Sequence, residues 1–224
     1  VITVCPDGSC DHTDIQQAII AADSGDVIRI AEGTYYPLST IDTIGKAVRL
    51  QGEINKDGNP VSVIDGQGSM GVIQCMSGET EETVLENLVI RGGLVQVGGG
   101  GMFCQQSSPT LLNCVFRNNV SGFNGGGMIC VGSDPVLIDC DFRNNIAGFG
   151  GGLACIKSSP TLRGCEFVGN STTDFQGGGM DIQDGGNPSL IDCTFQDNSA
   201  DKGGGLSIAL GSGALLNNCL FKHN

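Results

Sequence analysis

Few side chains in this 224-residue chain are placed to do chemistry. Asp181 and Asp184 are the one acidic pair on the outward side of the strand that carries them. Two carboxylates about 5–9.5 Å apart are what hydrolysis of a glycosidic bond requires. The bland reading, two solvated surface acids, is the favoured one. A recurring asparagine, Asn119, Asn145, Asn170, Asn198 and Asn224, offers amides rather than acids or bases. Those amides are expected to tuck into a turn and bond backbone and each other, because buried polar groups need partners. His12 and His223 are the only histidines, and the eleven cysteines form no CxxC-like pair, so a zinc site is not expected. Cys5 and Cys10 flank the turn-forming Pro-Asp-Gly-Ser, and a local disulfide is favoured over two free thiols.

What positions these residues is a repeat. Phe116, Phe142, Phe167, Phe195 and Phe221 recur at steps of 26, 25, 28 and 26. Glycine triplets and a cysteine column (Cys114, Cys140, Cys165, Cys193, Cys219) keep step with them. A period of this length means stacked units, each packing only on its neighbours. Met102, Met128, Leu153, Met180 and Leu206 alternate with Cys104, Cys130, Cys155, Ile182 and Ile208 across a variable residue, the pattern of a strand with one buried face. Leu111 and Cys114 stand three apart, so one straight strand cannot bury both. The residue before the cysteine, Asn113, Asp139, Gly164, Asp192 or Asn218, tolerates a left-handed backbone and would bend the chain there. Each repeat then becomes a coil of three short strands, stacked at about 4.8 Å.

The predicted fold is therefore all-β: a right-handed parallel β-helix of about seven or eight three-strand coils, one domain over 1–224. Residues 1–25 are a cap, 26–93 irregular early coils, and 94–224 the regular repeats. Val84 to Ile90 reads as an unmarked copy, with Ile90 in the phenylalanine place and Leu88 in the cysteine place. In the cap, Thr13 with Gln16 suggests a capping box for a helix burying Ile15, Ala18, Ile19 and Ala22, stopped at Gly25. Such a helix would cover an open sheet edge. The start at Val1, without Met or a leader, reads as a processed product or a piece of a longer chain.

The formal charge of −13 argues against nucleic-acid or anionic-membrane partners, and no apolar run approaches a membrane span. Along the first strand, outward Phe103, Ile129, Val131, Ala154 and Ile156 form an apolar stripe rather than a charged cleft. A row of this kind reads as a surface covered by a partner, a second copy or another part of the chain. The column cysteines read as free buried thiols behaving as small hydrophobes, with bridges between coils the alternative.

The pairing of Gly-Gly-x-Met/Leu with Phe-x-x-Asn (Phe116 to Asn119, and on to Phe221 with Asn224) resembles the repeats of polymorphic outer-membrane proteins and of secreted right-handed β-helix proteins more broadly. The start, with Ile15-Gln-Gln-Ala-Ile19, Gly33-Thr-Tyr-Tyr and Val63-Ile-Asp-Gly66, is similar to the early coils of pectin-lyase-like proteins. The departures are Gly where the polymorphic proteins usually have Ala, and no barrel segment. The resemblance implies an extracellular or surface-bound chain with a structural or adhesive role, binding a protein or a carbohydrate surface. Its partner sites would be the apolar stripe and the uncapped last coil. The rival implication is a polysaccharide lyase or glycoside hydrolase using Asp181 and Asp184. No cofactor or metal is called for, Ca2+ being the one ion the rival admits. The sequence sets of polygalacturonases and pectin methylesterases are absent.

Overall fold

In a computed structural model, which describes residues 1–173 and 175–224, the chain winds into a parallel β-helix. Among the described residues, one sheet has seven strands, from Ile41–Asp42 through Met102–Gln105, Met128–Val131, Leu153–Ile156 and Met180–Gln183 to Leu206–Ile208. A second has nine, from Ile2–Val4 to Leu215–Asn217, and a third has eight, from Gly33–Tyr35 to Leu220–Lys222. These are the three sides expected. The regular coils add a short fourth side, Leu94–Val95, Val120–Ser121, Ile146–Ala147 and Ser171–Thr172. No period-2 pattern announces two-residue strands, which is why three sides were expected and four are found.

Every strand pairs in parallel with its equivalent one repeat away, and the register aligns like with like. Phe116 faces Phe142, and Ile90 holds the phenylalanine place one coil earlier. The interior is a set of such columns. The rings of Phe116, Phe142, Phe167, Phe195 and Phe221 stack with centroids 4.6–4.9 Å apart, and the first four are fully buried. The column cysteines are free thiols, all buried except the half-buried Cys219. Burial pushes the Cys140 and Cys155 thiols well above their ordinary range, which keeps them inert.

The bends follow from backbone handedness. Asn113, Asp139, Gly164, Asp192 and Asn218 adopt φ of 48–62°, turning the chain so that leucine and cysteine both point inward. A second left-handed set, Asn118, Asn144, Gly169, Asp197 and His223, makes the next corner. The asparagine column lies behind it. Asn145 Oδ1 accepts from the backbone N–H and the amide of Asn119, both at 3.1 Å. Its own amide donates to the Phe116 carbonyl at 2.9 Å and to Asn170 Oδ1 at 3.0 Å. Every donor and acceptor of a fully buried amide is used.

At the start, Cys5 and Cys10 are bonded, with Cα atoms 5.3 Å apart. The helix is shorter than expected, Ile15–Ala21, and its cap is Asp14, which accepts from Gln17 N at 2.8 Å. Gln16 is drawn away to the first sheet, where it brackets the backbone of Asp42. The helix also ends before Gly25, because the Lys46 ammonium takes the carbonyls of Ile19, Ile20 and Ala22. Ile15, Ala18, Ile19 and Ala22 are buried on the first coils. At the other end Leu215, Leu216, Leu220 and Phe221 of the last coil are exposed.

Candidate ligand-binding face

The outer surface of the seven-stranded sheet carries two rows of side chains. Register places Asp42, Gln74, Phe103, Ile129, Ala154, Asp181 and Ser207 in one row. Gln105, Val131, Ile156 and Gln183 form the second.

The first row is roofed by the chain itself. Before each strand a left-handed glycine, Gly125, Gly150, Gly177 or Gly203, folds back over the preceding corner. A Cβ on Gly125 would stand 2.8 Å from Ile129 Cβ, and one on Gly177 2.6 Å from Asp181 Cβ. Only a residue without a side chain can approach this closely. Ile129 is consequently 4 % exposed, and Ala154 and Asp181 are 1 % exposed. This corrects the expected binding surface. Ile129 and Ala154 face outward from the strand but lie under a glycine corner, whereas Phe103, Val131 and Ile156 remain half-exposed.

The same roof separates the acidic pair. Asp181 Oδ2 accepts from the Gln183 amide, and its buried Oδ1 has no hydrogen-bond partner. Burial pushes its carboxyl above the usual range, against the Gln183 amide and the Ser207 hydroxyl beside it. Asp184 sits in the left-handed turn after the strand and is exposed. No hydrogen bond joins the two among the described residues. One carboxyl is covered and biased toward its neutral form while the other is in water. As they stand they do not flank a shared site.

The roof begins only one coil after Phe103, at Ile129. At Phe103 itself a Cβ built on left-handed Gly98 would still stand 3.8 Å from the ring, and a cleft of about 120 Å³ opens there. Phe103, Val95 and Val97 supply its apolar wall, and Gln74 and Thr40 its polar side. The Gln74 amide donates to Asp42 Oδ2 at 2.7 Å. No cluster of three or more His, Cys, Asp or Glu placed to hold a metal ion occurs among the described residues.

Three further features mark this side, of which the first and third were not anticipated. Phe123, Phe149 and Phe175 form an external ladder at the corner, with centroids 5.7 and 4.5 Å apart. Phe123 is 51 % exposed and lies edge-on to Phe149 at 72°. Its signal was legible, a phenylalanine just ahead of successive glycine runs, but the inner phenylalanine column drew the period. The second is the absence of charge. No Asp, Glu, Lys or Arg occurs within residues 92–116, 118–133 or 144–156. The third is Glu79, a buried carboxylate accepting from the Thr43 and Ser107 hydroxyls and from the Gly45 and Ser77 N–H groups at 2.7–2.9 Å. A lone glutamate in a loop gives no periodic signal.

Known proteins bear on the fold. The model of the right-handed β-helix region matches residues 58–221. No curated protein matches in sequence. Among solved structures, a pectin methylesterase from carrot superposes with a TM-score of 0.56 at 12% identity, covering 97% of this chain and 82% of that one. The pectin methylesterase PemA from Erwinia chrysanthemi gives 0.52 at 13%, over 86% and 65% of the two chains. The pectate lyase Pel9A gives 0.50 at 16%, covering 84% of this chain and 49% of that enzyme. At these identities the likeness is one of pectin-lyase-like architecture, reached through the same stacked coils. With the family model spanning 164 of 224 positions (58 to 221 inclusive) and columns of like residues in every regular coil, this chain belongs to the right-handed β-helix family.

Proposed function

We propose that the chain is a non-catalytic, extracellular or cell-surface β-helix with a structural or adhesive role. It binds a carbohydrate surface or a protein partner through the side formed by the seven-stranded sheet and its glycine corner. One observation carries this reading: among the described residues, the only acidic residue at the outward positions of the seven-stranded sheet in the regular coils, Asp181, is roofed by Gly177 and parted from Asp184. Bond cleavage by a carboxylate pair needs both groups on one substrate. The Cys5–Cys10 bond supports an oxidising, extracellular setting. Incubation with pectin, polygalacturonate and neutral polysaccharides, with and without Ca2+, tests the reading. Unchanged polymer length is expected, and new reducing ends, unsaturated sugars or released methanol would defeat it.

The rival reading is a polysaccharide-active enzyme. Its support is the architecture shared with the pectin methylesterases and pectate lyase above, together with the Asp42–Gln74 pair beside the cleft at the unroofed start of the first row. If the incubations yield products, loss of activity in Asp42→Asn with retention in Asp181→Asn would assign the chemistry to that stretch.

A further inference from the structure

We infer that the ligand of this side is an uncharged polysaccharide chain, seated with one sugar in the cleft lined by Val97, Phe103 and Gln74 and running along the corner past Phe123. The inference rests on the binding reading above and names its ligand class. Charge is the first argument. The formal charge of the chain is −13, yet the three consecutive coil segments that build this side contain no ionisable acid or base apart from cysteine. Charged residues of the same coils lie on the third sheet, where Arg143 pairs with Asp141 and Glu166, each at 2.8 Å, or in the turns that leave the strands, as Asp134, Asp139 and Lys157 do. Along these segments an acidic polysaccharide would meet no cation short of Lys157 at the edge of the sheet, and it would be repelled by the net charge of the rest of the molecule. A neutral one carries no such cost.

Cleft chemistry is the second argument. A sugar presents apolar C–H faces and a rim of hydroxyls. The cleft answers with a phenylalanine and two valines on one wall and an amide on the other. Gln74 spends its N–H on Asp42, and its Oε1 accepts no hydrogen bond among the described residues, so it is open to a hydroxyl donor. Val97, 80 % exposed, forms a lip that no element of the chain covers. Continuity is the third. Phe123, one coil on, is turned out of the stack that occupies Phe149 and Phe175, whose rings lie 9° from parallel. A row of exposed rings parallel to the coil axis fits a polymer better than a single sugar.

Native gel electrophoresis through hydroxyethylcellulose, xyloglucan, galactomannan or polygalacturonate tests this, using wild type, Phe103→Ala, Val97→Asp and a distant control, Leu38→Ser. The expected result is retardation by at least one neutral polymer, unchanged by added NaCl and by Leu38→Ser. Apparent affinity should fall about tenfold in Phe103→Ala and in Val97→Asp, about 1.4 kcal/mol of lost contact. Because Val97 is a solvent-exposed lip, Val97→Asp separates lost binding from lost folding, and an unchanged thermal melt verifies it. Salt-sensitive retardation by polygalacturonate, retardation by neutral polymers undiminished in both variants, or no retardation by any polymer would each overturn the inference. Concentration-dependent dimers lost in Val97→Asp would overturn it too, assigning the face to a second copy while leaving the adhesive reading in place. Cleavage products with the variant pattern intact would support the cleft and defeat only the non-catalytic reading.

Discussion

Gly177 lies so close over Asp181 that a Cβ added to the glycine would stand 2.6 Å from the aspartate's own Cβ. That contact decides the state of the carboxyl beneath it. Asp181 is cut off from water, one of its oxygens has no partner, and burial raises its pKa from 3.8. A carboxyl whose folded pKa is raised opposes folding wherever the unfolded chain ionises it. Asp181→Asn should therefore leave stability near pH 3 almost unchanged and increase it as pH rises past 3.8. Urea midpoints of both proteins from pH 3 to 7 would check this, and a variant less stable at pH 7 would contradict it.

Glu79 behaves in the opposite sense. Burial alone would raise its pKa, but the hydroxyl of Ser107, the N–H of Gly45, the hydroxyl of Thr43 and the N–H of Ser77 together hold it below 4.5. A folded pKa below the unfolded one gives stability that is present above about 4.5 and lost as pH falls through the folded value. Glu79→Gln would turn an NH2 toward two donors. The expected outcome is a lower melting temperature at pH 7 and a flatter acid limb between pH 5 and 3. Parallel acid limbs in the two proteins would show that Glu79 is not the group titrating.

Phe142 is fully buried between Phe116 and Phe167, with centroids at 4.9 and 4.7 Å. Phe142→Ala should cost about 3–5 kcal/mol, the range for emptying a packed aromatic site. Chemical denaturation measures it, and a loss below about 1 kcal/mol would mean that the column closes over the gap.

Asn145 holds one rung of the asparagine ladder with four hydrogen bonds. Asn145→Ala strands the Phe116 carbonyl and the Asn119 N–H in the interior, each costing about 1–3 kcal/mol. Hydrogen exchange should speed at Asn119 and its neighbours in the two flanking coils. Exchange unchanged there would place the stability of the corner elsewhere.

Ile129 and Val131 stand two residues apart on one strand but differ in cover. With Ile129 under Gly125 and Val131 half-exposed, Ile129→Ser should lower the melting temperature, and Val131→Ser should leave it nearly unchanged. Neither should alter sedimentation through a lost Ile129 contact between copies. Equal melts for the two variants would remove the glycine roof from the account.

Particular residues show where sequence reading succeeded and where it stopped. The Asn113 column could be read because leucine and cysteine three apart demand a bend, and few residue types tolerate a left-handed backbone. Ile90 was found by counting back one period to a coil without the glycine triplet. The roof over Ile129, Ala154 and Asp181 was not legible, because alternation tells inward from outward but not outward from exposed. The information lay in Gly125, Gly150 and Gly177, whose missing side chains permit the approach. Gln16 was read as a cap because spacing cannot reveal the backbone of Asp42 waiting beside it. The fourth side escaped because two-residue strands leave no periodic trace, and the cleft at Phe103 because it exists only ahead of the roof.

The central claim is that this side of the helix holds a ligand without cutting it. Mass spectrometry of pectin, polygalacturonate and a neutral polysaccharide after prolonged incubation with the protein, with and without Ca2+, tests that most directly. The account predicts intact polymers and unchanged methyl esters in every sample. Any product that disappears when Asp42 or Asp181 is replaced by asparagine would contradict it.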